Sequence, residues 1–152
     1  MFMDFIIDFF TNYLLVCAFS GWFAAQLIKC TRYIIRYRKF DFRLIMSSGG
    51  MPSSHSATVC ALVVATAKTC GTGSVEFALA FILAFIVMYD AAGVRRAAGE
   101  QAKVLNRMAK ELSNGDRRYL DKNLKELIGH TPLQVIMGAL LGVVIPLLIP
   151  VF

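Results

Sequence analysis

Four apolar stretches alternate with two strongly basic segments along the chain. The first runs from about Phe5 to Ile28 and carries no charge after Asp8. The second covers Ala57 to Ala67 and is lengthened at its start by the uncharged Met51-Pro-Ser-Ser-His segment. The third spans Val75 to Val94, with Glu76 at one end and Asp90 near the other; the fourth, Thr131 to Phe152, is uncharged throughout. A helix needs about 20 apolar residues to cross a hydrocarbon core. The pattern therefore predicts an all-α integral membrane helical bundle of about four transmembrane helices, near residues 5–28, 55–70, 75–94 and 131–152. Alone, the second stretch is marginal, so it is expected to be short, tilted or packed inside the bundle. Pro146 and Pro150 are expected to disturb the last turns of the fourth.

The basic segments, about 29–50 and 95–129, hold every one of the 16 Lys and Arg residues except Lys68. Positive-inside asymmetry puts both in the cytoplasm and both termini outside a cell inner (plasma) membrane. Gly93 to Leu112 has Ala, Val, Leu and Met at helical spacing with Lys and Arg between them. Ser113-Asn-Gly is a stop signal, and Asp116 or Asp121 would cap a second short helix through Leu127. A cytoplasmic amphipathic helical hairpin is expected, either lying against the membrane, capping the bundle, or solvated.

Composition agrees with a single membrane domain: 57% hydrophobic, 17% charged and a mean hydropathy of +0.61 over 152 residues. Soluble domains run nearer about 25% charged. The net charge of +6 comes from juxtamembrane positions, which suits anionic headgroups and not nucleic acid. Cys17, Cys30, Cys60 and Cys70 form no CxxC pair and no metal-site spacing, so structural thiols are expected. Asp4 and Asp8 stand where a cleaved signal peptide would be positive, so the first stretch is expected to remain as an anchor.

The chemistry-bearing residues fall on one side of this topology. The two histidines, His55 and His130, both lie at cytoplasmic starts of helices, and Arg95 and Arg96 lie at the cytoplasmic end of the third. A helix beginning after Pro52-Ser53-Ser54 would aim unpaired N–H groups and its dipole at the same surface, which favours an anion. Ser53 or Ser54 could equally serve as a simple helix cap. Gly49 and Gly50 would allow close backbone approach. Arg95, Arg96, Lys39 and Arg43 could bind phosphate oxygens. One histidine could then act as nucleophile and the other as general acid. Asp90, a carboxylate in an apolar helix, is expected to orient His130, to pair with an arginine, or to stand at the interface exposed to water.

Pro52-Ser53-Ser54-His55 resembles the PSGH motif of the type-2 phosphatidic acid phosphatase and vanadium haloperoxidase superfamily. His130 followed by Gln134 resembles its last motif, a nucleophilic His followed four residues on by Asp. The blocks GGMPSSHSA, YDAAGVRRAAGEQAKVLN and ELIGHTPLQV look like its small divergent branch, from Gly49 to Gly142. The resemblance implies that His130 attacks phosphorus, His55 protonates the leaving oxygen, Ser53 and the backbone at Ser54 hold phosphate, and Arg95 or Arg96 binds it. Glu100 and Gln101 are further site candidates from the second block. Gln134 stands in the place of the orienting Asp. The superfamily's first motif, Lys followed by Arg-Pro seven residues on, is absent, with Lys39 and Arg43 as a loose substitute. No metal and no other cofactor is implied.

The expected function is a membrane lipid phosphate phosphatase acting on a phosphomonoester or pyrophosphate headgroup at the cytoplasmic interface. Phosphatidylglycerophosphate or phosphatidic acid would suit that leaflet, with the tail held by the apolar bundle. The alternative is a catalytically weak lipid-binding or structural membrane protein. Gly138-Ala-Leu-Leu-Gly142 is a GxxxG pattern serving either packing within the chain or a homodimer.

Overall fold

The computed structural model describes residues 1–38, 50–112, 124 and 129–152. It is all-α, with α1 (Phe2–Phe10), α2 (Tyr13–Tyr37), α3 (Ser54–Cys70), α4 (Val75–Ala92), α5 (Val94–Leu112) and α6 (Pro132–Leu148). The expected hairpin's second helix lies outside the described residues.

The first apolar stretch is two helices where one was expected. Asn12 Oδ1 accepts from Leu14 N at 3.0 Å and Leu15 N at 3.2 Å, starting α2 afresh, as asparagine does at helix N-termini. Helix α2 also runs beyond Ile28, through Lys29 to Tyr37, and stops where Arg38 turns left-handed at φ 51°. Charge marked the end of the apolar run, but Lys and Arg are good helix formers and do not end a helix. Ser53 caps α3 and Ser74 caps α4, their hydroxyls accepting from Ser56 N at 3.3 Å and Phe77 N at 3.1 Å. At the start of α6, Thr131 and Gln134 form a reciprocal capping box ahead of a proline at the first turn. Pro146 lies inside that helix, which ends at Leu148, shortly before Pro150.

Helix α3 is the centre of the bundle and packs against α2, α4 and α6. Its inner positions are small: Ala57, Ala61 and Ala65 are fully buried. Small residues on the neighbours complete the fit. A methyl at Gly21 would lie 2.8 Å from the Ala57 carbonyl oxygen. Methyls at Gly138 and Gly142 would overlap the carbonyls of Ser53 and Ala57. The GxxxG pair of α6 is thus engaged within the chain, letting two helix backbones touch.

Outward faces are the reverse of a soluble protein's, with Phe19, Phe23, Leu79, Phe85, Ile136 and Leu140 all exposed. Helix α2 and the run from Val75 through α5 are long and apolar enough to cross a membrane, and α6 is a shorter apolar helix.

One pole of the bundle explains the single basic residue outside the two basic segments. Lys68 Nζ donates to the carbonyls of Pro146 at 2.6 Å and Ile149 at 2.9 Å. The Tyr13 hydroxyl donates to the same two oxygens at 3.2 and 2.9 Å. Helix C-termini leave carbonyls without partners, and a cation there also meets the negative end of the dipole. Lys68→Met is therefore expected to cost about 1 kcal/mol, a fall of roughly 2–4 °C in the Tm of the detergent-solubilised protein at this chain length. An unchanged Tm would show that Tyr13 alone suffices.

Candidate active site

The opposite pole gathers the polar residues. Helix α3 starts here, α4 ends here and α6 starts here, and backbone bonds tie them together. His130 N donates to the Ala91 carbonyl at 3.0 Å, and Ser53 N donates to the Gln134 carbonyl at 2.9 Å. These two bonds fix residues distant in sequence at one pole of the bundle. The rings of His55 and His130 meet edge to face with centroids 5.8 Å apart, close enough for both to address one tetrahedral group. His130 is buried, at 2% exposure, and His55 is half-buried.

The tautomer of His130 follows from its neighbours. Gln134 Oε1 accepts from Thr131 N at 3.1 Å, which identifies that atom as the oxygen. The same atom lies 3.2 Å from His130 Nδ1, so Nδ1 carries the hydrogen and donates. That assignment leaves the ring's lone pair on Nε2.

Ser53 is the cap of α3, and its hydroxyl accepts from Ser56 N. The Ser54 hydroxyl faces α2 and accepts from Lys29 Nζ at 3.1 Å. Ser56 is fully buried with its hydroxyl unpaired among the described residues. Gly50, at φ +96°, lies against the Lys29 side chain, whose Cδ would be 3.8 Å from an added methyl. Asp90 is half-buried in the last turn of α4, next to Ala91.

Lys29 is the residue that sequence reasoning missed. It is 7% exposed, and among the described residues its charge is met by the neutral Ser54 hydroxyl and by no carboxylate. A buried ammonium is costly unless paired with an anion. Two signals pointed to it. Gln26, also buried, stands three residues earlier on the same helix face. Arg36 stands seven residues later, the spacing of the superfamily's first motif, with Tyr37 in place of its proline. Arg36 itself is exposed, its guanidinium 5.9 Å from the Tyr37 ring centroid.

Three other candidates are not brought to this pole. Arg96, Glu100 and Gln101 are exposed on α5, where Glu100 pairs with Lys103 at 3.0 Å. The Arg95 side chain, Lys39 and Arg43 lie outside the described residues. Among the described residues no three His, Cys, Asp or Glu side chains gather as a metal site would require.

An all-α membrane protein with paired histidines and a lysine around one helix N-terminus is the class these features define. The model of the divergent PAP2 family matches residues 10–145, and the chain belongs to that family. It is 41% identical over 155 residues to a Bacillus subtilis (strain 168) protein named "Uncharacterized membrane protein YuiD", covering 95% of this chain and 98% of that one. No solved structure matches the chain.

Proposed function

We propose that this protein is a membrane lipid phosphatase that cleaves a phosphomonoester or pyrophosphate headgroup through a phosphohistidine on His130. The observation that carries the reading is the convergence of Lys29, His55 and His130 at the N-terminus of α3. A buried cation beside the first turn of α3, the positive end of that helix's dipole, favours an anion. Two imidazoles next to it supply a nucleophile and an acid.

Phosphate would sit against the first turn of α3 and Lys29. His130 Nε2 forms a bond to phosphorus as the bond to the alcohol oxygen breaks, and His55 gives that oxygen its proton. His55, now neutral, takes a proton from water as the water oxygen attacks phosphorus and His130 departs. Phosphate is released and both rings regain their starting protonation. Gln134 keeps His130 in the reactive tautomer but brings no negative charge to offset an imidazolium, as an Asp would. That contact favours the second reading, a weak or inactive relative that binds anionic lipid.

A tail has a place to lie. Between α4 and α6 runs an apolar crevice of about 430 Å³, lined by Phe85, Met88, Tyr89, Val135, Ala139 and Val143 among others. Its walls begin beside the pocket, since Val135 follows Gln134 and Tyr89 precedes Asp90. In this reading α2, α3, α4 and α6 all cross the bilayer. The 17 residues of α3 measure about 25 Å, and the asymmetry of the basic segments supports a site on the cytoplasmic side with both termini outside.

The test is phosphate release by purified protein from a panel that includes phosphatidic acid, phosphatidylglycerophosphate and a prenyl pyrophosphate. Vanadate should inhibit turnover, and Lys29→Met should weaken vanadate inhibition about tenfold or more. Binding of a lipid phosphate without turnover would establish the second reading. Neither binding nor turnover would end both.

A further inference from the structure

Helix α5 divides into three faces, and their order around the helix carries an inference independent of catalysis. Gly99 and Ala102 are buried, and on the same side Asn106 exchanges two hydrogen bonds with the Leu124 backbone at 2.9 and 3.0 Å. That side faces the protein. A second side carries Val94, Leu105 and Met108, which share one edge at helical spacing. They are 59%, 53% and 53% exposed. The third side, opposite the apolar one, carries Arg96, Lys103 and Arg107, all exposed. The apolar side is therefore not the one by which α5 meets its own chain.

We infer that α5 lies in the plane of the membrane, its apolar face sunk among the upper acyl chains and its cationic face bound to anionic lipid headgroups. Three observations select this occupant. Helix α5 starts directly after Gly93, which ends the apolar α4, so Val94 begins where the spanning helix leaves the bilayer. The 19 residues of α5 reach about 28 Å, which a surface-lying helix can rest along its whole length. A helix with an apolar face and, opposite it, Arg96, Lys103 and Arg107 is also the form that binds an anionic leaflet. A soluble protein partner would meet the apolar side but would leave Arg96 and Arg107 without complementary charge, Lys103 alone being paired, with Glu100 at 3.0 Å.

The experiment uses the full-length protein in liposomes. Trp22 is the only tryptophan, so Trp22→Phe gives a silent background for Met108→Trp and, separately, Lys103→Trp as reporters. With anionic lipids present, Met108→Trp should be quenched about twofold or more better by lipids brominated near the headgroup than Lys103→Trp. Aqueous iodide should show the opposite order. Lys103→Gln with Arg107→Gln should abolish the difference that anionic over neutral lipid makes to Met108→Trp quenching. Ready quenching of Met108→Trp by iodide would show a helix standing in water. Protection from both quenchers would show a face covered by protein, including a second copy of this chain. Either result overturns the inference, whether or not the protein is a phosphatase.

Discussion

His130→Ala is expected to abolish hydrolysis of lipid phosphates, whereas His55→Ala retains a trace, about 10²–10⁴-fold below the parent. The two losses differ because the rings have different tasks. Without His130 no atom is placed to accept the phosphoryl group. Without His55 the nucleophile survives, but the alkoxide must leave without a proton. Leaving-group dependence therefore separates them. An aryl ester whose phenolate departs unaided should restore the first step in His55→Ala and leave His130→Ala inactive. In the rescued variant the second step still lacks its base, so labelled phosphate should accumulate on His130 as an acid-labile adduct. The fold is expected to survive both changes, because the bond from residue 130 to Ala91 is made by the backbone. If either variant cleaves alkyl phosphates at the parent's rate, or if label appears at another residue, the proposed chemistry is wrong.

The meeting of these histidines was legible because each stands at the start of an apolar run. Two runs entering a bilayer from the same side must bring their first residues to one surface. Charge asymmetry assigned both starts to one side without any knowledge of packing. Lys29 was not legible by the same logic. It was counted among the loop cations because the apolar run ends at Ile28, yet α2 continues for two more turns and turns Lys29 inward against Ser54. Hydropathy marks where side chains stop being greasy, not where the backbone stops being helical. Its spacing to Gln26 and to Arg36 was the available sign, and only a helix extended past Ile28 gives that spacing a meaning.

The same distinction accounts for the first helix. The run from Phe5 to Ile28 is continuous in hydropathy, so the break at Thr11-Asn12 was invisible to a window that averages over it. Asn12 acts through one side-chain oxygen on two backbone N–H groups, a local bond and not a composition effect. The marginal second stretch was expected to be short, tilted or buried. Its place at the centre follows from Ala57, Ala61 and Ala65, whose small size matters only once the facing glycines of α2 and α6 are known. Lys68 stood out only as the one cation outside the two basic segments, and the structure makes it a cap on the carbonyls of another helix. For α3 and Lys68 the pattern set the element, and a long-range contact set its use.

Gly138→Ala is expected to remove both stability and activity, the largest effect of any single methyl added to the bundle. The new Cβ would overlap the Ser53 carbonyl and stand 3.0 Å from the Ser56 Cβ. Neither neighbour is the far end of a flexible side chain, so the two helices must separate. Overpacking of this kind costs about 1–3 kcal/mol even where relief is available, and here the displaced group is the cap of α3. Ser53 N also holds the Gln134 carbonyl, and Gln134 holds His130 Nδ1. Moving α6 away from α3 thus pulls His130 from His55 along the same bonds that join them. A misplacement of about 1 Å in a reacting pair can cost on the order of 10²-fold in rate, so activity should fall further than stability. Gly73→Ala is the matched control, since a methyl there meets nothing within 4 Å and should change neither the Tm nor the rate. Gly142→Ala separates the two effects. Its methyl would overlap the Ala57 carbonyl one turn deeper, giving a similar loss of Tm with a smaller loss of turnover. Equal losses of rate in Gly138→Ala and Gly142→Ala would mean that the α3/α6 contact supports the fold without positioning the histidines.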